Sequence, residues 1–167
     1  MLEIFVDADE EWDSSCSWER LVREAAQAAV AESAFPQLAT SDRAVELSVR
    51  LTGDREVQAL NSKWRGKDKP TNVLSFPLLE NHELDQTNIA GPEMLLGDIV
   101  LAGGFCKSEA EAQGVTFESH ASHLVIHGTL HLLGYDHHED EEAADMEARE
   151  IRALSRIGIS NPYRAIA

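Results

Sequence analysis

Wound as a helix, the stretch from Thr116 to Leu133 turns apolar side chains in nearly every direction. Phe117, Ala121, Leu124, Val125, Ile126, Leu130, Leu132 and Leu133 spread around most of the circumference, while Glu118, Ser119, Ser122 and Thr129 form a narrow polar strip. A helix apolar nearly all round is a buried one, so the rest of the chain has to be arranged about it. The same helix carries His127 and His131, and the segment "HGTLHLLGYDH" adds a third imidazole at His137. Buried ring nitrogens need partners, and leaving them without any is costly.

The remaining sequence supplies covering elements. The chain has 167 residues, 43% of them hydrophobic and 26% charged. That is the composition of one globular domain, 1–167, able to bury roughly 70% of its unfolded surface. "LEIFV" (Leu2 to Val6) alternates as a short strand, and Ser17 to Ala34 reads as an amphipathic helix with Ser17 as N-cap and Pro36 as its stop. Val45, Leu47, Val49 and Leu51 alternate with polar residues in a second strand. Val57, Leu60 and Trp64 then mark one helical face, with Gly66 placed to end it. Asn72 to Phe76, closed by Pro77, and "MLLGDIVLAG" bring the strands to about four. Between those two, Leu79 to Glu93 lacks an apolar period and carries Glu80, Glu83, Asp85 and Glu93, so an exposed acidic loop is expected there. "FCKSEAEAQG" reads as a short helix and "EDEEAADMEAREIRALSRIG" as a final amphipathic one. Strands and helices interleave without strict β-α-β regularity. The expected class is therefore α+β, with helices packed on a small mixed sheet of about four strands and the histidine-bearing helix buried among them.

His127 and His131, four residues apart, project from one helical face and can reach one ion. Gly134 suits a left-handed turn at the helix end, and His137 lies three residues beyond it in the returning loop. Three neutral imidazoles with an open fourth position are an arrangement used by catalytic zinc. His123 lies on an overlapping face. A set at i, i+4 and i+8 would span about 12 Å of axis, too far for bonds of about 2 Å to a single ion, so His123 is read as a supporting or packing residue. His82, His120 and His138 are expected at the surface, with His138 nearest the rim of the site. The spacing H-x-x-x-H-x-x-G-x-x-H is that of the metzincin proteases, but Gly128 occupies the slot of their glutamate base. Asp136 is an alternative base, or equally a supporting partner or loop cap.

Fourteen Lys and Arg against thirty Asp and Glu give a net charge of −16, which argues against a protein that coats nucleic acid nonspecifically. Lys63, Arg65, Lys67 and Lys69 are a local exception, and an anionic substrate is expected near them. The acidic start "MLEIFVDADEEW" is unlike a secretory signal and no apolar run is long enough for a membrane span. A soluble cytoplasmic protein is expected, without membrane partners, in which Cys16 and Cys106 are reduced thiols filling packing space.

"HLVIHGTLHLLGYDH", His123 to His137, resembles the signature of the YbeY family, bacterial zinc-dependent endoribonucleases tied to ribosomal RNA maturation. Leu60 to Pro77 is similar to the family's arginine-containing segment and Leu96 to Gly103 to its central strand, so the likeness runs from about residue 45 to 155. The resemblance implies one Zn2+ per chain held by His127, His131 and His137, and a catalytic arginine at Arg65 suited to bidentate contact with phosphate. It also implies single-stranded ribosomal RNA as substrate, with the small ribosomal subunit or its assembly factors as partners and no DNA. The family usually has aspartate at the position of Asn72. The alternatives are a metallohydrolase of peptides or small molecules, which Gly128 disfavours, and a noncatalytic ribosome-assembly factor with a structural metal.

Overall fold

Alternation from Val45 onward produces a strand with one face sealed from solvent: Val45, Leu47, Val49 and Leu51 are each at most 1% exposed. In the computed structural model, which describes residues 1–13 and 16–163, it is the second of four strands: β1 (Leu2–Ala8), β2 (Val45–Thr52), β3 (Val73–Pro77) and β4 (Met94–Ala102). They form one mixed sheet in the order β1-β2-β4-β3, with β1 and β4 parallel to β2 and β3 antiparallel to β4. The helices among the described residues are α1 (Trp18–Ala31), α2 (Asp54–Arg65), α3 (Asn81–Leu84), α4 (Gly103–Gln113), α5 (Phe117–Leu132) and α6 (Asp140–Arg156). The expected α+β class, with a four-stranded mixed sheet, is what the chain adopts.

The main core lies on one face of the sheet, where Leu47, Leu51 and Ile99 pack with Val22 of α1, Ile126 and Leu130 of α5, and Met146 and Leu154 of α6. A smaller cluster on the other face joins Val57 of α2 to Leu74, Val100 and Ala102. The central helix α5 opens on Thr116, whose hydroxyl accepts the Ser119 N–H at 3.0 Å. Its closeness to the sheet depends on Gly128. A Cβ there would stand 3.0 Å from Ile99 Cγ2 and 3.2 Å from its Cδ1.

Several expectations need correction. α1 stops at Ala31, and Pro36 begins a short 3-10 turn instead of ending the helix; the Ser17 side chain makes no cap bond. The segment Leu79 to Glu93 is not wholly an exposed loop. It contains α3, where Glu80 and Glu83 cap the helix reciprocally, and it buries Leu84 and Thr87 completely. The polar strip on α5 is not all at the surface either. Ser122 and Thr129 are buried because their hydroxyls donate to the carbonyls of Glu118 and Val125, at 2.9 and 2.7 Å. His120, expected at the surface, is 4% exposed and bonds Glu109 at 3.0 Å.

Candidate metal centre

The end of α5 folds back on itself through a two-bond turn. Tyr135 N–H donates to the Leu130 carbonyl and Gly134 N–H to that of His131, each at 3.0 Å. Gly134 takes φ +93°, and a Cβ there would collide with Asn81 Oδ1 at 2.3 Å. The turn does two things for the histidines. It brings His137 back beside the helix, and it aims the Tyr135 carbonyl at His131 Nδ1, 2.9 Å away. Nitrogens of His127, His131 and His137 then lie within 4.8 Å of one another, and no further His, Cys, Asp or Glu among the described residues joins them.

The hydrogen bonds dictate which nitrogens face inward. A carbonyl only accepts, so His131 Nδ1 carries the proton and Nε2 its lone pair. The same holds for His127, whose Nδ1 lies 2.6 Å from Glu150 Oε1. With both rings neutral, the two Nε2 atoms turn lone pairs toward each other at 3.0 Å, with their rings nearly perpendicular. Two lone pairs at that distance call for a shared cation. Tetrahedral ligands with bonds near 2.0–2.1 Å have nitrogens about 3.3 Å apart. A proton on His131 is disfavoured, because burial, with His127 and His137 alongside, pushes its pKa down to about 4. The donor set fits a borderline-soft divalent ion.

Behind His127 sits Glu150 of α6, 1% exposed. Burial alone would raise its pKa. The nearby His123 ring and hydrogen bonds from His127 and Tyr163 outweigh that and hold it down to about 2, while burial and the adjoining carboxylate push the Tyr163 phenol up. Tyr163 Oη donates to Glu150 Oε2 at 2.5 Å and lies 3.2 Å from His123 Nε2, so His123 supports the centre without facing it. Asp136 is tied into the loop: one oxygen accepts the His137 N–H at 2.8 Å and the other meets His138 Nε2 at 2.9 Å. Of the roles open to it, loop cap is the one this geometry satisfies.

The histidines line a groove of about 570 Å³ whose opposite wall carries Arg65, Lys67, Asn72 and Ser75. Arg65 ends α2, where Gly66 in the left-handed region (φ +67°) turns the chain. Asn61 fastens the next residues: its buried side-chain Nδ2 donates to the Lys69 carbonyl at 3.0 Å, and its backbone carbonyl accepts the Lys67 N–H at 3.2 Å. The Arg65 guanidinium donates to the Ser75 carbonyl at 2.7 Å, and no carboxylate pairs with it among the described residues. The basic cluster thus divides. Arg65 and Lys67 enter the groove, whereas Lys63 lies over the ring of Trp64, which is 63% exposed and belongs to the other side of the sheet.

The family described as "Endoribonuclease YbeY" matches residues 6–158. The chain belongs to the YbeY endoribonuclease family. Curated YbeY endoribonucleases from Sphingopyxis alaskensis and Rhizorhabdus wittichii are 49% and 48% identical over 98% of this chain, and over 98% and 97% of their own lengths. The YbeY likeness therefore takes in nearly the whole chain, including the first forty residues. In fold, the chain is similar to the solution structure of TM1509 from Thermotoga maritima, with a TM-score of 0.54 at 23% identity over 99% of this chain and 100% of that one. Three residues bonded in or behind the candidate site are not apparent from the sequence: Asn61, Glu150 and Tyr163. Glu150 alone left a sign, as a charge on the apolar stripe of Met146, Ala153 and Leu154 in an amphipathic helix.

Proposed function

We propose that this chain is a zinc-dependent endoribonuclease that cuts single-stranded ribosomal RNA in the cytoplasm, in maturation and quality control of the small ribosomal subunit. Membership of the YbeY family supports the RNA chemistry. The observation that carries the metal-dependent part is the convergence of three imidazole nitrogens in one groove with an arginine that no carboxylate among the described residues neutralises. His127, His131 and His137 would hold one Zn2+ per chain. Such an ion, with a coordination position left open, supplies an activated water or a polarised phosphoryl oxygen.

The protein's own groups do the rest. Arg65, steadied by the Ser75 carbonyl, directs its remaining N–H groups to a phosphodiester, placing it and stabilising charge that develops on it. Lys67 adds positive potential along the strand's path. Asn72 contributes no proton transfer, since an amide does not titrate. No helix of the described residues is long and apolar enough to cross a membrane.

Cleavage of a single-stranded RNA by purified wild-type, His131→Ala and Arg65→Ala proteins tests the assignment, with metal content measured on the same samples. Both variants are expected to lose cleavage by at least about 100-fold, the loss of one strong transition-state contact or more. Only His131→Ala is expected to lose metal. Cleavage retained in both variants would defeat the enzymatic assignment, and equal metal content in all three would defeat the ligand assignment.

A further inference from the structure

Glu150, 1% exposed, sets a carboxyl group among the buried residues Met146, Ala153 and Leu154 of α6. A polar group buried there destabilises the fold unless partners satisfy it. No Lys or Arg among the described residues meets it. Its partners are His127 Nδ1 on one oxygen, Tyr163 Oη on the other, and the edge of His123, whose Nε2 is 3.6 Å from Oε1. Every group that satisfies this carboxylate thus lies toward the candidate metal centre or braces the carboxylate from behind.

We propose that Glu150 is a positioning residue for His127, holding the ring in the Nδ1–H tautomer and strengthening Nε2 as a donor to a divalent metal ion, with Tyr163 clamping the carboxylate in place. The inference rests on the three-histidine metal reading given above. The physics is that a carboxylate accepting the far N–H of an imidazole draws positive charge onto the ring and raises the basicity of the opposite nitrogen. His131 receives the same service from a neutral carbonyl, that of Tyr135, at a longer 2.9 Å. The two helical ligands are therefore unequal, His127 being the stronger donor. Geometry agrees, because the 2.6 Å contact fixes both the tilt of the His127 ring and the direction of its lone pair. Tyr163, beyond the end of α6, makes this clamp depend on the C-terminal part of the chain.

The test uses the full chain as wild type, Glu150→Gln and Tyr163→Phe. Zinc affinity is read by competition with a chromophoric chelator, and histidine tautomers by 15N-resolved NMR on the metal-free proteins. Wild type is expected to show His127 as the Nδ1–H tautomer. Glu150→Gln should bind zinc roughly 10- to 100-fold more weakly and populate both tautomers of His127, while His131 keeps its form. Tyr163→Phe should show a smaller loss in the same direction. If wild type binds zinc and Glu150→Gln binds it equally with an unchanged His127 signature, the positioning role is wrong and the metal reading stands. If wild type binds no zinc, both fall. Should Glu150→Gln not fold, Tyr163→Phe decides: unchanged affinity and tautomer in that variant overturn the role.

Discussion

Asn72 reaches the groove yet commits both ends of its amide to the protein. Its Oδ1 accepts the Val73 N–H at 2.7 Å and its Nδ2 donates to Glu109 Oε1 at 3.0 Å, while that same oxygen meets buried His120. The residue therefore pins the start of β3 to α4 and α5, which sets where the groove wall stands. Where the family resemblance leads to an expectation of aspartate, this chain has a side chain that can donate to Glu109. Restoring the acid should be costly here: Asn72→Asp exchanges a hydrogen bond to a charged group for two facing carboxylates, a loss of about 2 kcal/mol. Denaturant midpoints near pH 7.5 measure it, and adding Glu109→Gln to the same chain should recover most of the loss. Equal midpoints for wild type and Asn72→Asp would mean that the bond to Glu109 contributes nothing.

Among the elements, α5 was the most legible and also the one most misread in detail. Its burial follows from apolar residues on every side, and His127 and His131 follow from a spacing of four. What the wheel could not show is that Ser122 and Thr129 satisfy themselves through carbonyls of their own helix, or that Glu109 waits for His120 on a neighbouring one. Polar residues that find partners leave no trace in hydrophobic periodicity. Gly128 was read as the absence of a protease's base. In the fold its part is packing, since it lets α5 lie against β4. Replacing a mid-helix glycine by alanine ordinarily stabilises by about 1 kcal/mol. Gly128→Ala should do the opposite. Its methyl would press on three carbons of Ile99, a residue with no exposed surface in the main core, and overpacking of this kind costs about 1–3 kcal/mol. A net loss of about 1–2 kcal/mol is expected by urea denaturation, partly relieved by Ile99→Val. A gain in stability, or strict additivity of the two changes, would show that the helix has slack over the sheet.

At the scale of the whole molecule the strands were legible one at a time, and their order was not. β4 lies between β2 and β3, a pairing fixed by long-range packing that no local pattern records. That order gives the site its form, because it places edge strand β3 and the end of α2 opposite α5, so Arg65 faces histidines more than sixty positions away in sequence. The groove is thus assembled from α2, β3, α5 and the turn after it, with α6 supplying the carboxylate behind His127. A metal ion bound only by this assembled form must stabilise the entire fold, since the unfolded chain does not hold the three nitrogens together. At free zinc about 100-fold above its dissociation constant the linkage amounts to about 2.7 kcal/mol. For a chain of this length each kcal/mol moves the melting temperature by about 2–4 °C. Stripping the metal with a chelator should therefore lower the melting temperature by about 5–11 °C, and zinc added back should restore it. His127→Ala removes a ligand, so its melting temperature should not respond to zinc. A thermal scan of wild type that is indifferent to chelator and to zinc would mean that the three imidazoles come together for some reason other than a metal.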